Sequence, residues 1–144
     1  MKKSWKMILL LAVLVALLAG AYSYYLYNKP HDDMASKTPE FTLSAQALID
    51  AYAADETASN VKFSGKIIEV SGVVVVKSEG TGGSYSISLG DAISGVSCTV
   101  DSADVAPFKT ILDKITEGDT VIFRGRCDGM LTDVQLSRCV PITK

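Results

Sequence analysis

The chain has 144 residues, with 14 basic and 16 acidic side chains, enough for one domain and an appendage. Lys2, Lys3, Lys6 and Lys29 fall among the first 30 residues without an acid, so the remainder carries 10 basic against 16 acidic residues, a net charge of −6. Non-specific binding to phosphate backbones draws on Lys and Arg, and so acidic a remainder argues against it.

MILLLAVLVALLAGAYSYYLY, residues 7–27, is uncharged, with Ser23 its one clearly polar interruption. As a helix it measures roughly 31 Å, close to the hydrocarbon thickness of a bilayer. A buried core helix would carry polar residues at helical spacing, and this segment does not. The lysines ahead of it point the N-terminal side, residues 1–6, to the cytoplasm, and the rest of the chain outside. Trp5 on one flank and Tyr22, Tyr24, Tyr25 and Tyr27 on the other suit two interfacial aromatic belts. Ala19-Gly20-Ala21 is a small-residue motif of the kind signal peptidase cleaves after. The full spanning length, and the tyrosines that prolong it past that point, favour an uncleaved signal anchor. No cysteine lies near its end to carry a lipid.

Residues 28–40, NKPHDDMASKTPE, are polar and aperiodic with Pro30 and Pro39, a tether by composition. They give a tether over 28–42 and a folded domain over 43–144. In LSAQALIDAYAADETAS, Ser44 is an N-cap, and Ala45, Leu48, Ile49 and Tyr52 share one helical face; the helix should end near Ala54 or Asp55. KFSGKIIEVSGVVVVKS, residues 62–78, has the β-branched density of a strand, with Gly72 placed for a bulge or sharp bend. SEGTGGS is a Gly-rich turn, not a phosphate loop, because neither a helix nor Gly-Lys-Ser/Thr follows.

SYSISLG and GVSCTV alternate Tyr85, Ile87, Leu89 and Val96, Cys98, Val100 against hydroxyl residues, as half-buried strands should. SADVAPFKTILDKITEGD is a second helix, capped by Ser102, with Pro107 tolerated in its first turn and Gly118 as its stop. TVIFRGRC and DVQLSRCVPI are two further strands. The order of helix, three strands, helix, two strands predicts a mainly β fold: a five-stranded OB barrel with one helix before it and one between strands 3 and 4. The N-terminal transmembrane helix stands apart from it.

FSGKIIEVSGVV (63–74), LGDAISGVSCTV (89–100) and EGDTVIFRGRCDGMLTDVQLSRCV (117–140) resemble the tRNA-anti-like OB-fold family of bacterial membrane-bound and lipoprotein-like proteins. The resemblance covers roughly residues 43–142. It implies an OB fold and, by name, nucleic-acid binding; it supplies no catalytic residues.

Cys98, Cys127 and Cys139 allow at most one intramolecular bond. Four zinc ligands are not to be had, since the single histidine, His31, lies in the tether. If a bond forms, Cys127–Cys139 is the expected pair; Cys98–Cys139 across neighbouring strands is its rival, and three buried thiols are the alternative to any bond. Arg124 and Arg126 alternate with Phe123 and Gly125, so they share a face, which Arg138 can join from the next strand. The three form a small cationic patch for an anion, or a solvated face paired with Glu69, Asp128 or Asp133. OB folds use strands 2 and 3 for ligands; here that surface offers Tyr85 with Ser84, Ser86, Ser88, Ser97 and Thr99. No nucleophile has a base and an orienting group beside it, so no enzymatic activity and no cofactor is expected. The expected function is a membrane-anchored, extracytoplasmic binding or assembly module for a protein or envelope polymer. A nucleic-acid-binding OB protein, or an oligosaccharide or small-ligand binder, is the alternative.

Overall fold

The computed structural model describes the backbone of residues 2–27 and 33–143. The chain divides into two compact units at Asp33–Met34. The first is α1 (Lys2–Tyr27), whose stretch Trp5–Tyr27 is long and apolar enough to cross a membrane. Residues 28–32 of the expected tether, Lys29 and His31 among them, lie outside the described residues, as do the side chains of Lys2 and Lys3.

The second unit begins with β1 (Phe41–Ser44), α2 (Ala45–Ala54) and α3 (Glu56–Phe63), followed by β2 (Ile67–Glu79), β3 (Tyr85–Leu89) and β4 (Val96–Val100). A helical segment comes next: α4 (Ser102–Val105), a 3-10 turn (Ala106–Phe108) and α5 (Lys109–Lys114). β5 (Thr120–Met130) and β6 (Val134–Pro141) complete it. The sheet runs β2-β3-β4-β6-β5, and β5 pairs back onto β2, so five strands close into a barrel. The β4–β6 pair is parallel and the other four barrel pairs are antiparallel. This is the expected OB barrel, in which closure removes free edges from all five strands.

Three elements depart from the sequence reading. β1 is an additional strand, parallel to β2 with Phe41 opposite Ile68. The first helix ends at Ala54 as expected, but an additional helix, α3, follows it directly. Asp55 caps α3, its carboxylate accepting from Ala58 N at 2.9 Å, and the strand expected from Lys62 starts at Ile67. Pro107 is not in the first turn of one helix; it sits in the 3-10 turn that separates α4 from α5, since a proline N–H is missing from the helical ladder there. Ser44 does cap α2 as expected, accepting from Ala47 N at 3.1 Å.

β2 is the strand that everything else is built on. Its first half pairs with β1 on one edge and β5 on the other, and its second half trades β1 for β3. Gly72 sits at that exchange, where a Cβ would meet the Cβ atoms of Ala45 at 2.9 Å and Leu89 at 3.1 Å. The missing side chain lets α2 lie directly on the sheet. Beneath it, Leu48, Phe63, Ile68, Ile87, Leu89, Leu112, Phe123 and Leu136 are buried almost completely, each worth about 1.5–3 kcal/mol relative to exposure.

The far end of β2 holds the second helical segment. Lys77 Nζ donates to the Leu112 and Ile115 carbonyls at 2.6 and 3.0 Å, a cation held at the end of α5. Tyr85 Oη donates to Asp113 at 2.9 Å, and Lys109 pairs with the same carboxylate at 3.2 Å.

Gly72→Ala is expected to lower stability by about 1–3 kcal/mol through overpacking, read as a lower urea midpoint with an unchanged slope. The Tyr85 hydroxyl first, and Lys109 second, hold the Asp113 carboxyl below its ordinary 3.8. A group depressed in the folded state stabilises the fold above its ordinary value, and loses that contribution as pH falls through the folded one. Asp113→Asn should therefore flatten the fall in urea midpoint as pH drops below the ordinary carboxyl range, while leaving the rest of the acid limb in place.

Candidate ligand-binding face

Strand alternation sends Tyr85, Ile87 and Leu89 of β3, and Val96, Cys98 and Val100 of β4, into the barrel, where all six are buried. The residues between them must face out. Cross-strand register then lines up two rows. Ser78 lies opposite Ser86, and Ser86 opposite Thr99. Val76 lies opposite Ser88, Ser88 opposite Ser97, and Ser97 opposite Gln135. Apart from the more exposed Ser78 and Val76, these side chains are half-buried. The surface is a grid of hydroxyls with one amide and one valine, and it has no charge. Such groups donate and accept in the same place, which suits neutral polar ligands.

Tyr85 does not belong to this face. It is 5% exposed, and its hydroxyl is engaged by Asp113. Its place in the alternation with Ile87 and Leu89 makes it a core residue with a tethered polar tip, so it offers no stacking platform.

The arginines are dispersed over other contacts. Arg124 and Arg126 alternate with buried Phe123, Gly125 and Cys127, and share the outer face of β5. Arg124 stands opposite Glu69 on β2 and donates from Nη2 to its carboxylate at 2.8 Å, the two side chains being 15% and 10% exposed. Its Nη1 donates to the backbone carbonyls of Ala35 and Lys37 at 2.7 and 2.8 Å. One guanidinium thus closes the β2–β5 seam and fastens the chain ahead of β1, with Met34 buried. The fork of five fixed donors explains why arginine serves here. Arg126 pairs with Asp128 at 3.1 Å in solvent, worth little. Arg138 lies on β6 at φ 54°. There two residues of β6 oppose Gly125, between the Arg124–Val140 and Arg126–Ser137 pairs.

All three cysteines are buried and unbonded. Cys127 and Cys139 do not face each other. Cys127 stands opposite Leu136, and Asp128 is an extra residue between the Cys127–Leu136 and Gly129–Gln135 pairs. Its Sγ is 3.5 Å from Tyr52 Oη. Burial, then this thiol, keeps the Tyr52 hydroxyl protonated well above its ordinary range. Cys139 instead has Cys98 as its neighbour, and burial followed by that contact pushes its thiol up.

Two features escaped the sequence. Asp133, a possible arginine partner, accepts from Gly95 N at 3.2 Å and ties the β5–β6 turn to the β3–β4 loop. A groove of about 300 Å³ lies between Ile111 and Ile115 of the helical segment, Thr120–Ile122 of β5, and Pro141–Thr143. Among the described residues no three His, Cys, Asp or Glu side chains converge to hold a metal ion.

Removing Arg124 leaves the Glu69 carboxylate buried and unpaired. Arg124→Ala is expected to cost about 3–5 kcal/mol, measured by urea unfolding, and to speed tryptic cleavage after Lys37. The double variant Glu69→Ala/Arg124→Ala should recover part of the stability but not the protection at Lys37, since the guanidinium's bonds to those carbonyls are missing from both variants.

Among solved structures, the domain is similar to a Klebsiella pneumoniae lipoprotein given a provisional nucleic-acid-binding name. The two are 15% identical with a TM-score of 0.55, over 79% of this chain and 99% of that one. It is also similar to an OBody bound to hen egg-white lysozyme, at 12% identity and a TM-score of 0.44, over 58% of this chain and 87% of that one. No curated protein matches the sequence. The tRNA_anti-like family profile matches residues 1–140, the helix and the barrel alike, and the chain belongs to the tRNA_anti-like family.

Proposed function

We propose that this protein is a non-catalytic binding or assembly module. In this reading α1 is a signal anchor in the cytoplasmic membrane, with the N-terminus inside and the barrel outside. The ligand is a protein or a neutral envelope polymer, held on the β2–β3–β4–β6 face. The observation that carries the reading is the mismatch between the two surfaces. The ligand face is an uncharged grid of Ser78, Ser86, Ser88, Ser97, Thr99 and Gln135, while Arg124 and Arg126 are committed to Glu69 and Asp128 on β5. Single-strand binding needs stacking aromatics beside free cations, and Tyr85 is buried.

A second reading has its own support: the family name, and the provisional name of the Klebsiella lipoprotein, both point to nucleic acid. Arg138 is the arginine left without an ion pair among the described residues, and would carry it.

A reporter fused to the C-terminus, active only outside the cytoplasm, is expected to be active; activity confined to a cytosolic reporter overturns the topology. The detergent-solubilised full chain should capture a protein or polymer from envelope extract. Replacing Ser88 and Ser97 together by Arg should weaken that capture at least about tenfold, or about 1.4 kcal/mol. Single-stranded DNA or RNA should not be retained at about 50 mM salt; retention that falls steeply with salt and is lost in Arg138→Glu establishes the second reading instead.

A further inference from the structure

Cys139 and Cys98 come from strands far apart in sequence, yet the barrel makes them neighbours. β4 and β6 pair in parallel with Cys98 opposite Leu136. Cys139 lies three residues beyond Leu136, but the left-handed Arg138 turns the strand. The Cys139 Sγ then reaches back to the Leu136 carbonyl at 3.5 Å, the position that faces Cys98. Cys98 is among the groups that push the Cys139 thiol up, and both side chains are fully buried.

The opposite strand is shaped around this placement. A Cβ on Gly125 would lie 2.5 Å from Cys139 Sγ and 3.0 Å from the Ser137 carbonyl. β5 therefore has no side chain where the Cys139 sulfur sits. Cys127 is occupied elsewhere, against Tyr52, on a strand that pairs Cys127 with Leu136 and not with Cys139.

We propose that Cys98 and Cys139 are the chain's disulfide-forming pair, linking β4 to β6, with Cys127 as the remaining thiol. The bond in the cell rests on the extracytoplasmic reading above, because oxidising compartments sustain disulfides; the pairing itself does not. The oxidant is a disulfide, either glutathione disulfide or that of a thiol oxidoreductase. The thiolate of one cysteine attacks its S–S bond, releasing one thiolate and leaving a mixed disulfide. The thiolate of the other attacks the protein-side sulfur and expels the second. Two protein thiols lose two protons and two electrons, and the oxidant gains both as two thiols. Burial sets the timing: β6 is the last strand in the chain, and the bond forms before β6 seals against β4, or whenever it opens.

The test uses the detergent-solubilised full chain, equilibrated with reduced and oxidised glutathione in mild urea, acid-quenched, unfolded, alkylated and peptide-mapped. One alkylated cysteine is expected, Cys127, with the Cys98 and Cys139 peptides joined. Cys127→Ser should still lose both remaining thiols. The oxidised chain should melt on the order of 10 °C above the reduced one. Three alkylated cysteines, or a bond that includes Cys127, overturn the proposal. Chain isolated from cells alongside the C-terminal reporter separates the two readings. A cytosolic reporter with the glutathione pairing intact removes the export and keeps the pair. An exported domain whose thiols do not pair in glutathione removes the pair and keeps the export.

Discussion

The barrel depends on β2 being paired along both edges at once. β5 lies on one edge over Ile67–Val73, while β1 and then β3 occupy the other. Such a strand must coil through the structure rather than lie flat, and coiling tightens where something yields. Two places yield: Gly72, which gives α2 room, and the register shift between Val74 and Val76 opposite β3. A bulge raises local twist and bends the strand that carries it. Closure then follows from the antiparallel return of β5, and the Glu69–Arg124 pair sits on that return.

The placement of that pair explains the domain's electrostatics. A largely buried ion pair is a poor source of net stability, because desolvation offsets much of the attraction. Its value here is positional. The carboxylate orients the guanidinium, whose Nη1 donates to the carbonyls of Ala35 and Lys37. A segment that composition marks as tether becomes part of the folded unit from Met34 onward. The same commitment removes Arg124 from any contact with an anionic ligand, so the acidic domain has little free cationic surface on β5.

What could be read from the sequence was local. Ser44 before an apolar helical face is a cap in the sequence and in the fold. Period-two alternation located β3 and β4 to within a residue, and it also said that Tyr85 goes inside with Ile87 and Leu89. Placing Tyr85 on the ligand face ignored that parity. α3 had a signal that went unused, since Asp55 precedes it as a cap and Glu56 opens its first turn. β1 had almost none: it is four residues long, and its partner lies near the start of a strand 27 positions on, Phe41 against Ile68. Contacts such as Arg124 to Ala35, or Cys139 to Cys98, exist only because the barrel closes. The extra residue Asp128 in the β5–β6 hairpin is one that no periodicity marks.

The character of the outward face follows from the same closure. In a small barrel each strand has one side for the core, so the outward face receives whatever lies at the opposite parity. In β3 and β4 those positions are Ser86, Ser88, Ser97 and Thr99, and the register sets them side by side rather than scattering them. Short hydroxyl side chains leave the pleated backbone close to the surface, whereas lysines or arginines would stand off it by several ångströms. Val73 and Val76 are nearly half exposed on β2 and add apolar area without charge. A partner that meets such a surface loses little conformational freedom to long side chains, and desolvates hydroxyls rather than ions, which is much the cheaper exchange. A phosphate chain finds there neither counter-charge nor a ring to stack on. A neutral sugar polymer or a peptide edge would find donors and acceptors at strand spacing, which is the support that the uncharged grid lends to the proposed reading.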